Sequence, residues 1–87
     1  MLTITYQYKD KVFIATVETR IRQDDLRYKV TLPNDVQFEM SPMSNFIVPT
    51  TGGPVWLQNM HDGESSLELD LVQTIGEAVE RALQATD

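Results

Sequence analysis

Apolar and polar residues alternate along the first half of the chain, and this alternation restricts the fold more than any other feature of the sequence. Residues 2–8 alternate without interruption, with an apolar or aromatic residue at every even position. Period two with β-branched and aromatic residues is typical of a strand that buries one face. The pattern recurs in residues 26–32 and 36–40, and in residues 12–22 except that Val12 and Ile14 interrupt the polar side, which indicates cover on both faces or a bulge there. The sequence therefore predicts four strands in succession.

Short polar segments separate these strands, at residues 9–11, 23–25 and 33–35. Parallel strands need a crossover of about a dozen residues or more, so links this short favour antiparallel neighbours. Pro33 fixes its own φ and Asn34 tolerates the left-handed region, which makes the third link a strong turn signal. We therefore predict an antiparallel β-meander.

A loop and a second hairpin are predicted after the meander. Residues 41–54 contain three prolines and two glycines, and we interpret them as a loop with its own apolar cluster, Phe46-Ile47-Val48. Residues 55–60 are predicted as a fifth strand. Asp62-Gly63 is a type I′ turn signal, and residues 65–69 alternate again, so a closing hairpin with a sixth strand is also predicted.

The end of the sequence has the periodicity of an amphipathic helix. At about 100° per residue, its apolar side chains fall within one half of a helical wheel. These are Leu67, Leu71, Val72, Ile75, Ala78, Val79, Ala82 and Leu83. Asp70 and Gln73 form a capping pair, so we expect the helix to begin at Asp70 and Leu69 to belong to the preceding strand. Ser65 and Glu68 form a second possible capping pair one turn earlier. The sequence therefore leaves open whether residues 65–69 are strand or helix. Gly76 costs about 1 kcal/mol relative to Ala inside a helix, and it lets another backbone approach closely.

We predict an α+β fold for a single domain of residues 1–87, an antiparallel β-meander of four to six strands with one C-terminal amphipathic helix packed on one face. A sheet with strands about 4.8 Å apart is much wider than one helix of about 10 Å. The apolar strand faces therefore need further cover, from the Phe46-Ile47-Val48 loop, from a rolled sheet or from a second copy of the chain. We expect a homodimer or a complex with a protein partner.

The chain is acidic, and its charge is uneven. The formal net charge is −6, and from residue 49 onward one basic residue stands against seven acidic ones. Nucleic-acid binding needs cationic groups on the protein, so we predict no nucleic-acid partner. An acidic mimic that presents Asp70, Glu77 and Glu80 to a basic partner is a further alternative.

A local basic stripe interrupts this acidity. Arg20, Arg22, Arg27 and Lys29 lie on predicted neighbouring strands. Acidic residues on the same strands can pair with them, because surface sheets commonly mix both signs. We therefore interpret the stripe as part of a solvated face of mixed charge.

No side-chain pattern identifies a catalytic or metal site. The sequence has no cysteine, which excludes disulfides, thiolate ligands and a Cys nucleophile. His61 is the only histidine, and beside Asp62 it makes a weak ligand set. Gly52-Gly53 lacks the following Lys of a phosphate-binding loop, and Pro54 removes a backbone donor. We therefore predict no catalytic residue, no metal and no cofactor.

The partner-binding surface is predicted around large apolar side chains. Phe46 and Ile47 lie in the predicted loop, and Trp56 and Leu57 lie in the predicted fifth strand. Tryptophan, phenylalanine and methionine are enriched at protein interfaces. For Trp56 we favour a place in the small core over a place on the partner-binding surface. In an obligate dimer these two interpretations are the same, because the interface is then part of the core.

These observations predict a small soluble, non-catalytic interaction module that self-associates or docks on a protein partner. Its surface would be the apolar cluster or an open strand edge. No apolar segment approaches the roughly 18 residues needed to cross a bilayer, so no membrane partner is expected. The first residues alternate like a strand and lack the basic start of a signal peptide, which predicts a cytoplasmic protein.

One alternative function remains open at this stage. It is a small-molecule-binding domain, or a small enzyme, with a pocket between the sheet and the helix. The side chains that would supply polar groups to this pocket are Tyr6, Tyr8, Tyr28 and His61.

Overall fold

Five antiparallel strands and one C-terminal helix make up the fold, in a computed structural model that describes residues 1–22, 25–50, 52–60 and 66–85. The elements are β1 (Leu2–Tyr8), β2 (Lys11–Arg22), β3 (Asp25–Thr31), β4 (Gln37–Ile47), β5 (Pro54–Asn59) and α1 (Leu69–Ala85). The strands lie in one sheet in the order of the sequence, and each pairs antiparallel with the next. The predicted α+β fold and meander are confirmed.

Two tight turns use left-handed residues other than glycine. Lys9 and Asp10 link β1 to β2 with φ angles of 50° and 65°, as the two central positions of a type I′ hairpin turn require. Between β3 and β4, the Leu32 N–H donates to the Val36 carbonyl oxygen over 2.8 Å. Asp35, with φ 66°, closes this second turn. These two short links therefore join antiparallel neighbours, as the sequence predicted.

The helix α1 joins the two edges of the sheet. It packs against β1 and β5, which are the first and last strands of the order. A flat sheet of five strands would hold its edge strands about 19 Å apart, whereas a helix is about 10 Å across. The sheet therefore curls so that one helix reaches both edges. The buried helix residues are Val72, Ile75, Gly76, Ala78 and Val79, all on or beside the predicted apolar stripe.

The curled sheet and the helix cover the core of the chain without help. Ten strand-side residues are no more than 9% exposed. They are Ile4, Tyr6, Ala15, Val17, Tyr28, Val30, Leu32, Phe38, Met40 and Trp56. Within the described residues, the further cover that the strand faces need beyond one helix comes from the curl of the sheet itself. Of the three proposed sources of cover, the rolled sheet is the one observed.

The predicted loop at residues 41–54 is also partly wrong, because β4 continues to Ile47. Pairing of β3 with β4 ends at Tyr28 and Met40, while β4 pairs with β5 through Pro42 and Met43. Beyond Met40, therefore, β4 pairs on one side only among the residues that the structure describes. Proline is tolerated where a strand is an edge, because its missing N–H then breaks no ladder bond. Only the last part of the predicted segment forms a connection.

The predicted sixth strand is not observed in the described part of residues 65–69. Leu67 lies in an irregular segment, and Leu69 is the first helical residue, 70% exposed and off the apolar stripe as expected. The proposed cap of Asp70 with Gln73 is wrong, because the helix already begins at Leu69 and the Gln73 amide bonds to the backbone of β5. Residues 61–65, which include the predicted Asp-Gly turn, lie outside the described residues.

Candidate functional site

The structure places the four predicted partner-binding residues on β4 and β5, but not on one surface. Phe46 and Ile47 are 61% and 55% exposed, and Leu57 is 36% exposed. Trp56 is only 2% exposed and belongs to the core. Successive residues of a strand point to opposite faces, so Leu57 turns outward where Trp56 turns inward. The core interpretation of Trp56 is the one that its burial supports.

Phe46, Ile47 and Leu57 are among the exposed or half-buried apolar side chains of the β4–β5 hairpin, which we call the apolar patch. Met43 pairs with Val55 across β4 and β5, and Ile47 pairs with the first residue of β5. The register shifts between Met43 and Ile47, which marks a β-bulge, and bulges re-aim side chains at sheet edges. Met43 and Val55 are half-buried. The apolar patch therefore consists of Met43, Phe46, Ile47, Val55 and Leu57, of which Val55 and Leu57 point outward, whereas Ile47 pairs with Pro54, two residues before the inward-facing Trp56.

Charged residues occupy the middle of the outer sheet face. Lys29 stands between Glu18 on β2 and Glu39 on β4 in the strand register. Arg20 lies opposite Arg27, and an Arg20 guanidinium nitrogen is 3.8 Å from a Glu18 carboxylate oxygen. This arrangement agrees with the predicted face of mixed charge. The apolar patch is therefore separate from the charged part of the sheet.

A helix side chain occupies the edge of β5. The Gln73 amide accepts a 2.8 Å hydrogen bond from the Trp56 backbone N–H, and its own nitrogen donates to the Pro54 carbonyl oxygen over 3.2 Å. One amide thus makes both bonds that a neighbouring strand would make. An additional strand cannot pair with β5 at these atoms while Gln73 is in place. The predicted open edge is closed here.

Trp56 is the contact point between the sheet and the middle of α1. Its indole N–H donates to a Glu80 carboxylate oxygen over 2.6 Å, and its ring centroid is 5.4 Å from that of Tyr28. A Cβ atom at Gly76 would lie 2.1 Å from Cγ of Trp56. Sequence reasoning predicted a close approach at Gly76 but expected a backbone there, and it missed Gln73 and Glu80. The spacing of three and four residues between Gln73, Gly76 and Glu80 is the signal that places all three along one side of the helix.

A cavity of about 240 Å³ lies at the other junction, where α1 meets β1. Tyr6, Tyr8, Phe13, Leu32 and Leu71 line it together with the turn between β3 and β4. The rings of Tyr6 and Phe13 stack with centroids 5.5 Å apart and an interplanar angle of 27°. The position between sheet and helix is the one that the small-molecule alternative requires.

The Tyr8 hydroxyl carries the polar chemistry at the rim of this cavity. It lies 2.5 Å from Oε2 of Glu68 and 3.0 Å from Oδ1 of Asp70. The hydrogen bond to Glu68, together with burial and the Asp70 carboxylate, raises the pKa of the Tyr8 phenol above its ordinary value. Nζ of Lys9 is 3.7 Å from Oε2 of Glu68 and 5.4 Å from the centroid of the Tyr8 ring. We call Tyr8, Lys9, Glu68 and Asp70 the acidic rim.

Tyr28, another of the polar groups predicted for a pocket, does not line this cavity. Tyr28 lies against Trp56 in the core, where burial raises its pKa, and His61 lies outside the described residues. Burial also raises the pKa of Tyr6. No group of three or more histidine and carboxylate side chains suited to a metal ion occurs within the described ranges. The polar side chains among the lining residues are therefore Tyr6, Tyr8 and Asn34, and the two carboxylates reach the cavity through their hydrogen bonds with the Tyr8 hydroxyl.

The remaining acidic and glycine-rich segments have internal partners. Asp70, Glu77 and Glu80 each accept a hydrogen bond from another side chain of the chain. Gly53 faces Glu80, since a Cβ atom there would lie 3.0 Å from Oε2 of that carboxylate. A carboxylate at this place repels an external anion. The loop is thus a turn in the chain, which is the interpretation that the sequence favoured.

The fold and its two sites define a meander closed by one helix, with an apolar patch on the β4–β5 hairpin and a cavity with an acidic rim at β1. No family model, curated protein or solved structure matches this chain. Among the described residues, no helix combines the length and the apolar character that crossing a membrane requires. The function must therefore be argued from the two sites themselves.

Proposed function

We propose that this chain is a non-catalytic interaction module that self-associates or docks on a protein partner through the apolar patch. The single observation that carries the proposal is the exposure of Phe46 and Ile47, each more than half open to solvent at the end of β4. Burying apolar surface contributes about 25 cal/mol per Å², so a partner that covers these side chains gains stability.

The composition and surroundings of the apolar patch support this role. Its five members include an aromatic residue, a methionine and three aliphatic residues, types that are well represented in the cores of protein interfaces. The charged residues of the outer face lie on β2, β3 and the first half of β4. An apolar centre beside a polar surround is the usual organisation of an interface.

The proposed contact uses side chains of the sheet face and not the edge of β5. Gln73 already bonds to the backbone of Trp56 and Pro54 at that edge. A partner strand that paired there would have to displace this amide and leave it unsatisfied, which costs about 1–3 kcal/mol if it stays buried. Contact through the apolar patch involves no such loss.

Sedimentation equilibrium of matched variants tests the proposal. Ile47→Ala and Phe46→Ala should weaken association, while Ile14→Ala should leave it unchanged. Ile14 is a close control, because it is 61% exposed on β2 against 55% for Ile47. Equal effects of Ile47→Ala and Ile14→Ala would overturn the role of the apolar patch. A clean monomer at high micromolar concentration would contradict self-association.

A cytoplasmic location and the absence of a nucleic-acid partner belong to the same proposal. The net charge of −6 supports the second point, because it opposes approach to phosphates. Fractionation of cells that produce the tagged chain should recover it in the cytoplasmic fraction. Retention on immobilised nucleic acid at physiological salt would contradict the second point.

A second candidate function is the binding of a small molecule in the cavity between sheet and helix. The observation that favours it is the cavity itself, about 240 Å³ in volume and lined by three aromatic rings. A thermal-shift screen over metabolites tests it, because a ligand at about 100 times its Kd adds roughly 2.7 kcal/mol of stability. Stabilisation that is lost when Leu71→Trp fills the cavity is the expected result.

A further inference from the structure

We propose that the cavity beside β1 binds a small organic cation, with an ammonium group at the acidic rim and an apolar or aromatic body inside. This inference rests on the second candidate function, since it names the chemical class of ligand for the same cavity. The interior of the cavity would contact the apolar body of the ligand, and the acidic rim would favour a positively charged ligand over a neutral or negative one.

The interior fits an aromatic or compact aliphatic body. A buried apolar cavity of about 150 Å³ is large enough to hold benzene. The volume here is about 240 Å³, which leaves room for a ring and a short alkyl chain. Tyr6, Tyr8 and Phe13 are among the lining residues, and the face of an aromatic ring carries the negative end of its quadrupole. This surface favours a cation near the ring faces over an anion.

The rim has more acceptors than its own hydroxyl can satisfy. A phenol has one proton to donate, yet the Tyr8 oxygen lies within 3.0 Å of both Glu68 and Asp70. One carboxylate receives that proton, and the other faces the lone pairs of the same oxygen. Two carboxylates that converge on one hydroxyl are stabilised by a cation between them.

The chain already holds a cation at this place. The ammonium group of Lys9 pairs with Glu68 and lies over the face of the Tyr8 ring. These contacts match the two interactions that we assign to the ligand, namely carboxylate pairing and contact with an aromatic face. The Lys9 side chain is 69% exposed, so it can leave when a ligand with a better-placed ammonium enters.

Calorimetric or NMR titration with three probes of one shape tests the ligand class. The probes are 2-phenylethylammonium, the neutral 2-phenylethanol and the anionic phenylacetate. The cation should bind about tenfold more tightly than the alcohol, as partly exposed charge pairs and cation–π contacts allow. The anion should bind more weakly than both. Shifted amide signals should map to β1, to the turn between β3 and β4, and to the first turn of α1.

Three variants separate the rim from general effects on folding. Glu68→Gln should remove most of the preference for the cation, whereas Glu18→Gln, which removes the same charge on the outer face, should not. Lys9→Gln should increase the affinity for the cation, because it removes the internal competitor. A gain of affinity cannot result from a damaged fold.

Each outcome decides between the proposals. Tighter binding of the cation that depends on Glu68 supports the inference. Equal binding of the cation and the alcohol overturns the ligand class and leaves the cavity as a small-molecule site. The absence of binding by all three probes overturns the inference, and a thermal-shift screen without any hit overturns the second candidate function as well.

Discussion

The helix meets the sheet at two junctions, and the two differ in the side chains that the helix contacts there. At β5, Trp56 packs on Gly76 with no room for a methyl group, and its indole and backbone N–H groups both have partners on the helix. At β1, a cavity of about 240 Å³ lies between Tyr8 and Leu71, and two carboxylates converge on one hydroxyl. The same helix therefore packs on a buried indole at one junction and borders an aromatic-lined cavity at the other, and a second cavity of about 210 Å³ lies between Gly53 and the outer side chains of the helix.

The difference suggests a division of roles between the two junctions. A filled junction with satisfied polar groups stabilises the fold, and any change there is costly. A junction with space and surplus acceptors contributes less to stability and can take a ligand. Substitutions at the β5 junction should therefore act on the free energy of unfolding, while those at the β1 junction should act on titration and binding.

The largest effect is expected for Trp56→Ala. Removing a buried tryptophan costs about 3–5 kcal/mol through lost transfer free energy and the cavity left behind. Urea denaturation followed by circular dichroism measures the change. Leu57→Ala is the neighbouring control, and because Leu57 is 36% exposed on the other face it should cost far less. A similar loss for both variants would contradict the packing of α1 on Trp56.

A smaller effect is expected for Gln73→Leu, which keeps the bulk of the side chain and removes its amide. The Trp56 N–H and the Pro54 carbonyl then lose their partners, so stability should fall by about 1–3 kcal/mol. Gln84→Leu is the control on an exposed position near the end of the helix. If Gln73→Leu proved as mild as Gln84→Leu, the amide would not be needed to satisfy the β5 edge.

The smallest effect on stability, and the clearest effect on titration, is expected for Glu68→Gln. The hydrogen bond to Glu68 is the main cause of the raised pKa of Tyr8. This variant should therefore lower the midpoint of the Tyr8 titration, followed by tyrosinate absorbance, towards the usual value of about 10. The folded pKa of Tyr8 lies above its unfolded value. Its contribution to stability is therefore complete below about pH 10 and is lost as the pH rises through the folded pKa.

The control for this titration is a carboxylate away from the rim. Glu77→Gln should leave the tyrosinate curve unchanged, because Glu77 bonds to Gln73 and to no tyrosine in the described contacts. An unaltered curve in Glu68→Gln would contradict the geometry of the acidic rim.

Local patterns in the sequence were sufficient for most of the fold. Alternation placed β1, β2 and β3 to within one residue at each end, because one face of each strand is buried and the other is open. The helical wheel identified Val72, Ile75 and Val79, which are fully buried. Such periodicities depend on burial alone and need no knowledge of the partner element.

The features that were missed depend on contacts between distant parts of the chain. Pro42 reads as a strand breaker until the pairing with β3 is known to end at Met40. The curl of the sheet is a property of the whole meander. The contact between Trp56 and Gly76 joins two residues that no local sequence pattern connects. The acidic rim likewise joins Tyr8 to Glu68 across most of the chain.

The helix α1 closes the curled sheet by packing Gly76 against the indole of Trp56. A double-mutant cycle at these two residues tests this packing most directly. In the wild-type chain, Gly76→Ala should reduce the free energy of unfolding by about 1–3 kcal/mol, because the new methyl group meets the ring. In the Trp56→Ala background the same substitution should increase stability by about 1 kcal/mol, the ordinary gain from alanine inside a helix. A stabilising Gly76→Ala in both backgrounds would contradict the account.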